Sequence, residues 1–184
     1  MKTSVTIAAL LLALSTIGSS CVNEGATVSV NLKPIVGRYR LGTSTTFSGL
    51  ITVRLDSLVS AEYKQKIRQG RVYDLRVHVE GDYAGAVSAV AAVRIRDGEV
   101  KQIIRFPAQG TVAWASFQTP QSLLSKSPYL APQPEGISEL LAALTTSPLP
   151  DISIMTLGTL TLAPVPDNLY VVIEVYLQAD AEIN

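Results

Sequence analysis

The chain has one histidine, His78, and one cysteine, Cys21, so any chemistry that needs an imidazole or a thiol must use them. A Ser-His-Asp arrangement would rest on His78, which stands between Arg76 and Glu80 on the polar side of an alternating segment. No Gly-x-Ser-x-Gly turn accompanies it, and His78 reads as a surface histidine on a wet sheet face. Asp74, Glu80 and Asp82 are its neighbouring carboxylates, and Asp74 and Glu80 share a face, as paired glycosidase carboxylates would. Alternation alone places them there, so no catalytic residue is assigned. One imidazole with scattered carboxylates is a poor zinc or iron site, and no Asp spacing matches a calcium loop. The lone cysteine can form neither an intramolecular disulfide nor a cysteine-based metal site by itself. No glycine-rich phosphate loop is present. No metal and no cofactor are expected, and the residue types favour binding over catalysis.

Binding would fall to amphipathic aromatics. Trp114 lies on a short expected strand just before a proline-rich stretch, and Tyr129 lies inside that stretch. Aromatics presented by loops anchor sugars, peptides or partner proteins, which makes these two the candidate ligand-binding residues. The competing reading has Trp114 in the core and Tyr129 packing the loop down.

Charge narrows the partners. The 184 residues carry 15 Lys+Arg against 15 Asp+Glu, with 47% hydrophobic and 16% charged residues. A phosphate backbone rewards excess positive charge, and none is available, so nucleic acid is not an expected partner. The run Lys64, Lys66, Arg68 and Arg71 is local and reads as a solvated surface.

The first residues read as an address. Lys2 precedes an apolar run from Val5 to Leu14, and small residues follow, the order of a secretory signal peptide. The run is shorter than the roughly 20 residues needed to span a bilayer. The stretch Ile17-Gly18-Ser19-Ser20-Cys21 resembles the lipobox of bacterial lipoproteins, with Gly18 where the strictest pattern has Leu. That resemblance covers about the first 22 residues. It implies cleavage after Ser20, lipidation of Cys21 and attachment to a bacterial envelope membrane. Two or three acyl chains make such attachment stable. Val22, in place of Asp, implies the outer membrane by the same resemblance. Residues 1–20 are then the signal peptide, 21–26 the lipidated N-terminus and a short tether, and 27–184 one β-rich domain.

In that domain the hydrophobic period is two. Val28, Val30 and Leu32 alternate with polar neighbours, as do Gly49 to Leu55, Tyr73 to Val79, Val87 to Ile95 and Leu169 to Leu177. Asp97-Gly98 predicts a tight two-residue hairpin turn leading into a return strand over 99–106. Further strands are expected over 111–117 and from Ile152 to Leu162. Ser60 to Gln69 and Gly136 to Thr146 predict short helices, and Pro120 to Pro134 a long loop. The expected fold is mainly β: an antiparallel β-sandwich of about eight strands with two short helices, with a closed or partly open barrel as the alternative.

The expected role is a lipid-anchored envelope protein acting as a non-catalytic binding or structural module, with an envelope protein or glycan as partner. Two alternatives stay open. One is a carrier of a small apolar ligand such as a lipid, because the Val/Ala-rich segment from Ala84 to Ile95 could line a cavity. The other is a hydrolase whose site lies around His78.

Overall fold

The computed structural model describes residues 26–183. The backbone forms eleven strands, one α-helix and two single 3-10 turns: β1 (Ala26–Asn31), β2 (Ile35–Arg40), β3 (Thr46–Arg54), β4 (Ile67–Glu80), β5 (Ala86–Ile95), β6 (Lys101–Phe106), β7 (Val112–Ala113), β8 (Gln121–Ser122), β9 (Ala131–Pro132), α1 (Pro134–Leu144), β10 (Asp151–Leu160) and β11 (Tyr170–Ile183). Eight of these strands have six residues or more, and the other three are two-residue bridges.

All pairings are antiparallel. The first sheet runs β1-β11-β4-β8, and β2 also pairs with β11, taking its residues 170–175 while β1 takes 178–183. The second sheet runs β3-β10-β5-β6-β9, with β7 on β5. The chain thus passes from sheet to sheet at nearly every long connection, and the orders β2-β11-β4-β8 and β3-β10-β5-β6 are those of a jelly-roll sandwich. The mainly β, sandwich expectation holds; the sheets are separate, so the barrel alternative does not.

The core is one continuous layer between the sheets. Val171, Ile173, Val175 and Leu177 of β11 face Ile152 and Ile154 of β10 and Ala89, Ala91 and Val93 of β5 across the interior, all buried. Tyr39 of β2 lies flat between the sheets because Gly37 and Gly49 leave room for its ring; a methyl group at Gly49 would overlap the ring carbons. Its hydroxyl donates to the Ile154 carbonyl (3.0 Å), and burial pushes the phenol up to about 12.

Several local expectations are corrected. Residues 60–66 form successive turns rather than a helix, and β4 already starts at Ile67, because residues 67–72 complete the first sheet beside β11. Beyond residues 114–117 and 55–57, each a single 3-10 turn, α1 is the one helix among the described residues. The strand expected over 111–117 is reduced to Val112–Ala113, after which Trp114 turns inward. The Asp97-Gly98 turn is not of the two-residue type: the strands stop at Ile95 and Lys101, and the positive φ falls on Arg96 (51°) rather than on Gly98. An irregularity in β5/β6 pairing between Ala91 and Ala92 shifts the register and lengthens that connection. In β4 a register shift opposite Tyr176/Leu177 reverses the phase expected for Tyr73, which is 54% exposed, whereas Leu75, Val77 and Val79 keep theirs.

Candidate functional site

The aromatic candidates belong to one interior seam. Trp114 is fully buried at the start of its 3-10 turn. Its indole Nε1 donates to the Gly81 carbonyl (2.8 Å), and its ring meets Tyr83 edge-on, with centroids 5.7 Å apart. Gly81 has φ of +90°, a conformation that L side chains rarely adopt, so the turn that offers this carbonyl needs glycine. Phe117, one helical turn on, packs against Phe106 at 6.0 Å and against Tyr129 at 5.7 Å. Tyr129 is half-buried, and Trp114 has no free face. The structure therefore places Trp114 in the core and Tyr129 over it, joined through packing rather than in a shared pocket. Cys21 lies outside the described residues.

The proline-rich stretch is ordered by a residue singled out for another reason. Asp74 is 1% exposed, although it sits on the outer side of β4. Ser122 Oγ donates to its Oδ1 (2.7 Å), as do the Leu75 amide (2.9 Å) and the Leu124 amide (3.1 Å), while Arg76 Nε reaches Oδ2 (2.7 Å). Burial pushes this carboxyl up, but those four hydrogen bonds outweigh it and hold it below the ordinary aspartate range. The stretch then runs from β8, on the edge strand of the first sheet, to β9, on β6 of the second. It is a lace between two sheet edges.

The remaining outer face of the first sheet is charged and internally matched. Arg38 donates to Glu80 (2.6 Å) and its guanidinium lies 3.5 Å over the Tyr170 ring. The Arg38 hydrogen bond holds the Glu80 carboxyl below its usual range. Arg76 sits 4.6 Å over Tyr176, whose hydroxyl donates to Glu174 (3.0 Å). His78 is only partly exposed, 3.8 Å from Glu80 and across from Val172. Among the described residues no three His, Cys, Asp or Glu side chains gather in a way that would hold a metal ion. Of the carboxylates around His78, Glu80 is engaged with Arg38 and Asp74 with Arg76.

The outer face of the second sheet differs in kind. Register places Leu50 beside Met155 and Ala92, and Ser48 beside Leu157 and Val90. Leu50 and Leu157 are 55% and 44% exposed. Toward the Thr46–Thr159 end lies a shallow cleft of about 640 Å³, lined by Ser88, Val90, Leu157, Thr159 and the exposed Arg105. No ion pair engages Arg94 or Arg105 among the described residues. Leu50 and Leu157, with the partly covered Met155 and Val90, are the apolar part of this face, set among Ser48, Thr52 and Ser88. The sequence signal for it was Met155 and Leu157 recurring out of phase with Ile152 and Ile154.

No protein-family model and no curated protein matches the chain. Among solved structures it is similar to one of Desmodium yellow mottle tymovirus, with 12% identity and a TM-score of 0.36 over 88% of this chain and 91% of the other. A structure of turnip yellow mosaic virus gives 12% and 0.34 over 87% and 96%. The decameric BFDV capsid protein gives 12% and 0.36 over 84% and 99%.

Proposed function

We propose that the chain is a lipid-anchored protein of a bacterial cell envelope, held in the outer membrane through Cys21, whose sandwich serves as a binding or structural module. The observation that carries this reading is the apolar leader ending in Ile17-Gly18-Ser19-Ser20-Cys21, placed five residues ahead of the first strand at Ala26. Five extended residues reach at most about 18 Å. A lipid on Cys21 would therefore hold the β1 end of the sandwich close to the bilayer surface. The same end carries the last residues of β11, since Ala26 pairs with Ile183.

Two features support binding over chemistry. The titratable groups of the first sheet are largely matched to one another, and the outer face of the second sheet leaves Leu50 and Leu157 exposed. A flat face of leucine, valine, methionine and hydroxyl side chains suits a protein or a glycan of the envelope.

The test is the intact mass of the protein expressed in a bacterium from its own leader, with membrane fractionation. The expected species begins at Cys21, carries acyl chains and sediments with membranes, and Cys21→Ser abolishes both properties. An unmodified N-terminus with protein free in the soluble fraction overturns the anchored reading.

A further inference from the structure

β3 is the outermost strand of the second sheet, and among the described residues no strand pairs with its far edge. Native edge strands are normally shielded by charge, proline, a bulge or brevity. β3 has none of these along Thr46–Val53: it is nine residues long, its only charge is Arg54 at the last position, and its pairing with β10 runs without a register shift. Apart from the buried Phe47, both of its side-chain rows are partly open. Leu50 on the outer row is more than half exposed, and Ile51 and Val53 on the inner row are half-buried, whereas Ile154 and Ile152 beside them on β10 are buried. The unpaired backbone edge is thus flanked by Ile51 and Val53 on the inner face and by Leu50, set among Ser48 and Thr52, on the outer face.

We propose that β3 pairs with the β3 strand of a second copy, antiparallel about a two-fold axis at Leu50. This register brings all nine residues of each strand into the pairing. It places Leu50 opposite itself, Gly49 opposite Ile51, Ser48 opposite Thr52, Phe47 opposite Val53 and Thr46 opposite Arg54. Apolar residues meet apolar residues or glycine, hydroxyls meet hydroxyls, and the arginine meets a threonine, so no like charges oppose each other. A two-fold interface demands this self-complementarity, and directly opposed like charges would be destabilising. The two second sheets join into one, and their Leu50, Leu157 and Met155 rows merge across the axis. Burying the half-covered Ile51 and Val53 and the exposed Leu50 supplies the driving force.

Opposed residues of antiparallel strands have Cα atoms about 4.5–5.5 Å apart, inside the range that a disulfide spans. The experiment uses full-length protein with its own leader in intact cells, treated with a mild oxidant and run without reductant. Leu50→Cys converts most of the protein to a covalent dimer. Ser29→Cys, exposed on β1, does not, and the wild type reports any contribution from Cys21. Leu50→Lys sets two ammonium groups against each other at an exposed position that tolerates the change, and turns the detergent-solubilised dimer into a monomer by sedimentation. Equal cross-linking of Leu50→Cys and Ser29→Cys, cross-linking of Leu50→Cys to a different protein, or the same sedimentation for wild type and Leu50→Lys overturns the proposal.

Discussion

The two lateral sides of the sandwich are finished in opposite ways. On one side β4 is paired in part by β8 and β6 by β9, the segment between them laces the sheets together, and α1 packs along both strands. On the other side β3 runs its full length with no strand beyond it among the described residues. Covering an edge requires polar groups beneath the cover to be satisfied, and the closed side meets that demand with Asp74 and with the indole N–H of Trp114. On the open side the buried Tyr39 hydroxyl donates to the Ile154 carbonyl of β10 beneath Gly49 and not to β3 itself. The closed side is thus held by buried polar contacts, whereas β3 keeps its far edge without a strand partner among the described residues.

The largest expected effect that sharpens this contrast lies at the closed side. Trp114→Ala removes a fully buried aromatic and the bond to Gly81, and costs about 3–5 kcal/mol. It is read as a lower urea midpoint at unchanged slope. A cost close to that of a surface substitution would mean that the aromatic seam is not what holds this side shut.

Asp74→Ala ranks next. It leaves the Leu75 and Leu124 amides without their acceptor, for about 2 kcal/mol, with Arg76 contributing less because it is partly exposed. Limited proteolysis would then cut within residues 118–133 while β3 remains as resistant as in the wild type. Cleavage spread evenly over both sides would break the comparison.

The same carboxylate sets a pH dependence. Its folded-state pKa is held below the unfolded value of about 3.9, so in acid the unfolded chain binds more protons. Its contribution is complete above that unfolded value and is lost as pH falls through the lowered folded one. The urea midpoint of the wild type is expected to fall more steeply below about pH 4 than that of Asp74→Asn. Parallel acid limbs for the two proteins would show that the carboxylate is not the titrating anchor.

The smallest effect belongs to the open side. Leu50→Lys and Leu157→Ser change exposed side chains and should leave monomer stability within about 0.5 kcal/mol. A larger loss, measured with the monomeric form, would make this face part of the folding core.

Much of the sandwich could be read directly, because a strand with one buried face writes its orientation into a two-residue period. β11 is the clearest case: Val171, Ile173, Val175 and Leu177 are inward as their spacing requires. Where reading failed, pairing had overridden the local pattern. Ser60 to Gln69 has helix-forming ends, yet residues from Ile67 are drawn into β4 by the hydrogen bonds that β11 offers. Tyr73 alternates correctly by count but follows a register shift that no single strand can reveal. The candidate site divides in the same way. Trp114 and Tyr129 were conspicuous by type, and their placement indoors depended on Gly81 and Phe117, residues remote from or unremarkable in the sequence.

By itself the sequence determined the β class, the inward rows of the long strands and the balanced charge, since each depends on residue type and near-neighbour spacing. Only the tertiary structure decided that Asp74 is buried, that the proline-rich segment is a lace rather than a free loop, and that β3 ends its sheet with no strand beyond it among the described residues. The reason is physical. Whether a polar group or an edge is covered depends on which distant strand lies beside it, and contacts across tens of residues are set by the summed packing of both sheets.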